Sequence, residues 1–405
     1  MNKLKSNLMF FIYTVLLGSV VGGLIWSFLK VMSLGAQLLW ECLPSQISIP
    51  FYTIIVCAAG GLITGLWKRR FGDYPEELSQ VLGAVKKTGR YPYNNVFSTM
   101  ISALLPLVIG ASVGPEAGLT GIISGLCTWV GDKLRRFHRE IDELTAIGLS
   151  ATLGTIFRSP MFGFVEPLES ERQPSLPRTS KMVLYFTAIL SSFGIFILLN
   201  HLTGGKAGME AQPAEALSPV LFLYAAPLIL AGVLAGYLFY VFKKLTSVYC
   251  RFLKKLIILR AVIGGLLLGI AGTFLPLTMF SGEHQMEEVF AGMKAIGALI
   301  LLLVAVVKLL LTNVCIDSGL KGGHFFPVIF SGICIGCSLS ILFGISAVFC
   351  AAMVTTALVA HTLKKPLATV LLLMIVFPPV YIPFMLAAAF ISVMIPTARP
   401  LLPEE

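Results

Sequence analysis

Two glycine-proline breaks, Ala111-Ser112-Val113-Gly114-Pro115 and Gly323-His324-Phe325-Phe326-Pro327, each open into an apolar stretch long enough to be a helix. Amides at a helix start have no acceptor within the helix and carry a partial positive charge, so two such starts converging on one point suit an anion. No full cationic side chain is required, and an ion held by partial charges can leave again. Glycine lets the backbone approach the ion, and proline in the first turn removes a donor that would go unused. Broken backbone at membrane depth is tolerated only where it lines a cavity or meets a ligand. A pair of breaks in the two halves of a chain therefore points to one shared site.

The elements that must carry these breaks are membrane helices. The chain is 57% hydrophobic and 12% charged, with a mean hydropathy of +0.89, too little polar surface for a soluble domain. Apolar runs over residues 8–32, 217–241 and 295–311 approach or exceed the roughly 20 residues that cross a bilayer as a helix. The expected class is an all-α polytopic membrane protein. Lys3 and Lys5 precede the first run as in a signal peptide, but the run is too long and lacks a small-residue cleavage site, so it is expected to be retained. The formal charge of +10 comes from short clusters such as Lys68-Arg69-Arg70, Lys243-Lys244, Lys254-Lys255 and Lys364-Lys365, with another from Lys133 to Arg139. These suit cytoplasmic loops against anionic lipid; no soluble basic domain exists to bind nucleic acid.

Several apolar segments, 97–110, 115–130, 145–157, 161–168, 327–342 and 366–377, are too short to span or are cut by Gly, Pro and charge. Broken helices of this kind mark transporters and channels rather than anchors or receptors. A polar stretch, 203–219, divides a first membrane repeat (1–202) from a second (220–405). Phe157-Arg158-Ser159-Pro160 and Lys364-Lys365-Pro366 echo one another before apolar runs, which suggests an internal repeat. The last apolar run ends near residue 395, so no C-terminal regulatory module is expected.

At these motifs the chain resembles the CLC chloride channels and chloride/proton exchangers, as a prokaryotic-type member. Gly323-His324-Phe325-Phe326-Pro327 matches the family's G-x-F-x-P at every fixed position. Ser112-Val113-Gly114-Pro115 is similar to its G-[KR]-E-G-P but keeps only the Gly-Pro. Phe71-Gly72-Asp73-Tyr74-Pro75-Glu76 lies where the family has G-S-G-I-P-E, and Phe157-Arg158-Ser159-Pro160 with Gly163 resembles F-N-A-P-x-x-G. Order and spacing agree from about residue 8 to residue 395.

The resemblance implies two inverted-topology repeats of tilted and re-entrant helices, assembled as a homodimer in the cell (plasma) membrane, with one anion pathway per subunit and no cofactor. Backbone amides of Ser112, Val113 and Gly114 would face the outer pathway, and those of His324, Phe325 and Phe326 its centre. The departures bear on mechanism. The family's gating and proton-carrying glutamate falls on Val113, which can neither plug the site as an anion nor bind a proton. The exchangers' internal glutamate falls on Ser170, beside Glu169; the central serine falls on Gly72. The pathway tyrosine has Tyr381 as its nearest candidate, at a different spacing.

Other residues keep two readings. Glu116 could replace the missing gate or offset the helix dipole, and Glu169 could carry protons or be a helix-end carboxylate. His324 could titrate in the pathway or turn to a neighbouring helix. Lys308, inside an apolar run, could raise the potential for anions or hydrogen-bond carbonyls. The eight cysteines, including Cys334 and Cys337, read as packing rather than as metal ligands or a disulfide framework. Glu283, His284, Glu287 and Glu288 read as a solvated loop rather than a metal cluster. The five histidines are scattered, and no constellation for a membrane-embedded enzyme is evident. The leading expectation is passive conduction of chloride or a similar small anion; the alternative is an antiporter in which Glu116 or Glu169 handles protons.

Overall fold

The computed structural model describes residues 2–46, 49–134, 143–169, 179–204, 212–213, 219–253 and 255–397. The helices in chain order are α1 (Asn2–Gln37), α2 (Leu43–Gln46), α3 (Tyr52–Phe71), α4 (Leu78–Thr88), α5 (Val96–Val108), α6 (Glu116–Leu134), α7 (Glu143–Ile156), α8 (Pro160–Glu169) and α9 (Thr179–Leu202). They continue as α10 (Val220–Phe252), α11 (Ile257–Phe274), α12 (Gln285–Ile296), α13 (Ala298–Ser318), α14 (Phe325–Phe343), α15 (Ala347–Leu363), α16 (Pro366–Leu373) and α17 (Ile382–Met394). Among the described residues the only β-geometry is an isolated bridge between Gly114 and Gly323. Ser170 and most of the expected 203–219 linker lie outside the described residues.

Six helices among the described residues are long and apolar enough to cross a membrane. Large side chains such as Phe252, Phe274, Leu299 and Leu342 stand exposed on them, as suits a surface whose solvent is lipid. Helix ends shift from the apolar runs for local reasons. The run at 295–311 becomes α13 only from Ala298, because Gly297, at φ +87°, stops α12. One expectation is corrected here: Glu287 and Glu288 lie in the first turn of α12, not in a loop, where their charge offsets the helix dipole.

The chain divides into two compact units that interleave along the sequence. The first comprises Met1–Leu34, Pro75–Ala103 and Pro115–Gly208. Within it α7 packs against α6, α8 and α9. The second comprises Gly35–Tyr74, Leu104–Gly114 and Met209–Glu405. Its centre is α14 packed between α13 and α15, and α14 is buried on nearly every side, as expected of a helix apolar all round. α3 and α11 cross closely in this unit, with Gly65 against Ile258 and Gly269 against Ile54; small residues let membrane helices approach in this way.

The two basic-proline elements share a conformation. Arg158, between α7 and α8, has φ +50°, and Lys364, between α15 and α16, has φ +57°. Non-glycine residues are uncommon there. In each case proline then starts the next helix.

Candidate functional site

Both breaks meet within the second unit. After α5, Gly110 turns with φ +80° and its carbonyl accepts from the Phe280 amide at 2.9 Å. The Val113 amide donates to the Ala111 carbonyl at 2.8 Å. Gly114 and Gly323 exchange both backbone bonds, at 2.7 and 2.8 Å. The Ser112 amide is hydrogen-bonded to Cys315, and its hydroxyl lies 3.3 Å from Thr312 Oγ1. The expectation that the amides of Ser112, Val113 and Gly114 face the outer pathway therefore does not describe this conformation: these donors are used on the break itself, on α13 and on the second break, because buried amides must be paired.

The second break abuts the first through side chain as well as backbone. A Cβ placed on Gly322 would lie 2.5 Å from Val113 Cγ2, so only glycine fits against this valine. Val113 is fully buried. At the start of α14 the first helical bond runs from the Val328 amide to the His324 carbonyl at 3.0 Å, so the amides of His324, Phe325 and Phe326 precede the helical ladder, where the dipole is positive. Phe325 and Phe326 are buried. The His324 ring stacks on Phe325, with centroids 4.9 Å apart, and lies 5.6 Å from Phe239 of α10. It is thus turned toward a neighbouring helix.

Lys308 supports this junction from behind. Its fully buried ammonium donates to the carbonyls of Leu277, Thr278, Met279 and Phe280 at 3.2, 3.3, 3.0 and 3.0 Å and lies 4.7 Å from the Phe330 ring centroid. Of the two roles open to it, carbonyl bonding is the one its contacts display. The loop it gathers is the one whose Phe280 amide holds Gly110. Lys308, Thr312 and Cys315 stand at i, i+4 and i+7 on one face of α13, and all three brace the first break. Thr312 and Cys315 escaped the sequence reading, although that spacing from Lys308 was the signal that could have found them.

The remaining expected residues are dispersed. Gly72 caps α3 at φ +105°. Beside it, Asp73 gathers Lys68 at 3.0 Å, Lys321 at 3.0 Å and Arg260 at 4.0 Å. Burial pushes the Asp73 carboxyl up, but Lys68 and then Lys321 outweigh it and hold the group at about 2. Tyr381 is fully buried and meets Phe349 edge-on. In the first unit, Glu116 lies buried in the first turn of α6 and Glu166 is buried on α8, whereas Glu169 is only half-buried. Glu166 was not singled out by the sequence reading, since spacing from Pro160 leads one turn further on.

The voltage-gated chloride channel family model matches residues 60–397. Proteins called "Putative ion-transport protein YfeO" from Escherichia coli O17:K52:H18 and Escherichia fergusonii are 26% identical over 324 residues, covering 77% of this chain and 74% of theirs. Among solved structures, a slow cyanobacterial Cl-/H+ antiporter aligns with a TM-score of 0.81 at 19% identity, covering 95% of this chain and 93% of that one. A CLC-type fluoride/proton antiporter aligns with a TM-score of 0.76 at 18% identity, covering 96% and 95%. The all-helical fold with its broken spans is thus a CLC fold, and the chain belongs to the voltage-gated chloride channel (CLC) family.

Proposed function

We propose that this CLC-family membrane protein conducts chloride or a similar small monovalent anion passively, without proton coupling. The observation that carries the reading is Val113: the position where the family's glutamate falls holds an apolar side chain packed on Gly322, where the two breaks are bonded together. An anion at the start of α14 would be held by the amides of His324, Phe325 and Phe326 and by the helix dipole. Those of Ser112, Val113 and Gly114 would join only after the bridge opens. The same reading takes 1–202 and 220–405 as two inverted repeats joined through 203–219, and places a homodimer in the plasma membrane. The shared conformation of Arg158 and Lys364 supports that repeat.

The test is Val113→Glu in proteoliposomes. A glutamate here competes with the anion for the same donors, so anion flux falls when the carboxylate is charged and recovers as it protonates. Flux that stays flat across pH would remove Val113 from the pathway.

A second reading, coupled exchange, is favoured by the buried carboxylates Glu116 and Glu166 and by the two similar structures described as proton antiporters. Glu116→Gln or Glu166→Gln would then abolish coupling and spare passive flux.

A further inference from the structure

Three cationic side chains from three separate elements converge on one carboxylate at the foot of the second break. Lys68 comes from the end of α3, Arg260 from α11 and Lys321 from the turn that leads into Gly322 and Gly323. Lys68 Nζ meets Asp73 Oδ1, and Lys321 Nζ meets Asp73 Oδ2, each at 3.0 Å. Lys321 also donates to the Asp73 carbonyl at 3.2 Å. Arg260 stands 4.0 Å away, with its Nε buried and unbonded.

The balance of charge is wrong for a purely structural ion pair. Lys68 is 1% exposed while Asp73 is 51% exposed, so the cation is sealed in the protein and the carboxylate faces solvent. Another carboxylate, Asp317 on α13, accepts from Thr246 of α10; among the described residues three cationic side chains, Lys68, Arg260 and Lys321, face the carboxylate of Asp73. A buried ammonium such as that of Lys68 keeps its charge only beside an anion. Asp73 can swing into solvent without burying its charge, and its carbonyl would keep Lys321 in place.

We propose that Lys68, Lys321 and Arg260 form a binding site for a small inorganic anion such as a halide, and that Asp73 is its tethered occupant, displaced when an ion from solution enters. The site lies one residue from Gly322, which packs on Val113, so an ion released from it is delivered to the start of α14. That delivery rests on the conduction proposed above; the binding does not.

Bromide is the probe, located by anomalous diffraction from crystals of the full chain and titrated calorimetrically in detergent. Asp73→Ala removes the competitor. A bromide peak should then appear in contact with Lys68 and Lys321, with affinity raised about tenfold, the worth of one charge-assisted contact. Adding Lys321→Met should cancel the gain. Asp73→Asn, which keeps the side-chain shape, replaces Asp73→Ala if that protein is unstable. No bromide at the cluster in either variant, or a gain that survives Lys321→Met, overturns the proposal. Bromide bound there in a protein that conducts nothing would sink the conduction reading alone; conduction with an empty cluster would sink this one alone.

Discussion

A valine at position 113 offers neither charge nor proton affinity, and its fully buried contact with Gly322 makes it a packing group; the proposed conduction takes it to stand where the family has a titratable one. The neighbouring charges act by other routes. Removing the ammonium of Lys308 would strand four carbonyls in the interior. Lys308→Met should therefore lower stability by roughly 3 kcal/mol, read as an earlier unfolding transition in detergent. A stability equal to wild type would show that those carbonyls find other donors. Asp73 gives a pH prediction of definite sign. Its folded value, about 2, lies below the ordinary 3.8. The stabilisation is therefore complete above the ordinary value and is lost as pH falls through the folded one. Asp73→Asn should lower stability near pH 7 and lessen its loss as pH falls toward about 3, read as unfolding transitions in detergent. An acid dependence equal to wild type would mean that Asp73 is not the group held low.

At the scale of elements, the junction depends on three short pieces of backbone: residues 110–114, the loop after α11 and the turn before α14. Gly322 is where they tolerate least. A methyl there overlaps Val113 and the Gly114 carbonyl, so Gly322→Ala should push the two breaks apart, at a cost of roughly 1–3 kcal/mol. Flux should change without any change of charge. Unaltered flux and stability would show that the breaks are not held together as described.

Much of this scale was legible in the sequence. Glycine and proline mark the breaks themselves, because their backbone preferences are local. The start of α12 was missed, since Glu287 and Glu288 in a first turn look the same as acids in a loop. The bonding of Gly114 to Gly323 and the convergence of Lys68, Arg260 and Lys321 on Asp73 were also invisible. Apart from Lys68, which is close to Asp73 in sequence, they join residues far apart in the chain, and neither charge nor periodicity records which partners meet. Lys308 was recognisable as exceptional, yet its role depended on four carbonyls that carry no sequence signature.

For the molecule as a whole, the exposed apolar side chains and the six long apolar helices require a bilayer. If the proposed homodimer is correct, the protein component of detergent-solubilised particles should have twice the 43.8 kDa chain mass by light scattering; a single-chain mass would contradict it. The most direct measurement of coupling places the purified chain in proteoliposomes, imposes a chloride gradient at equal pH on both sides, and records chloride and proton movement together. Passive conduction predicts chloride running down its gradient with no proton movement beyond that of empty liposomes once the membrane potential is clamped. Protons driven uphill by the chloride gradient would contradict it and favour the second reading, with Glu116 or Glu166 as proton carrier.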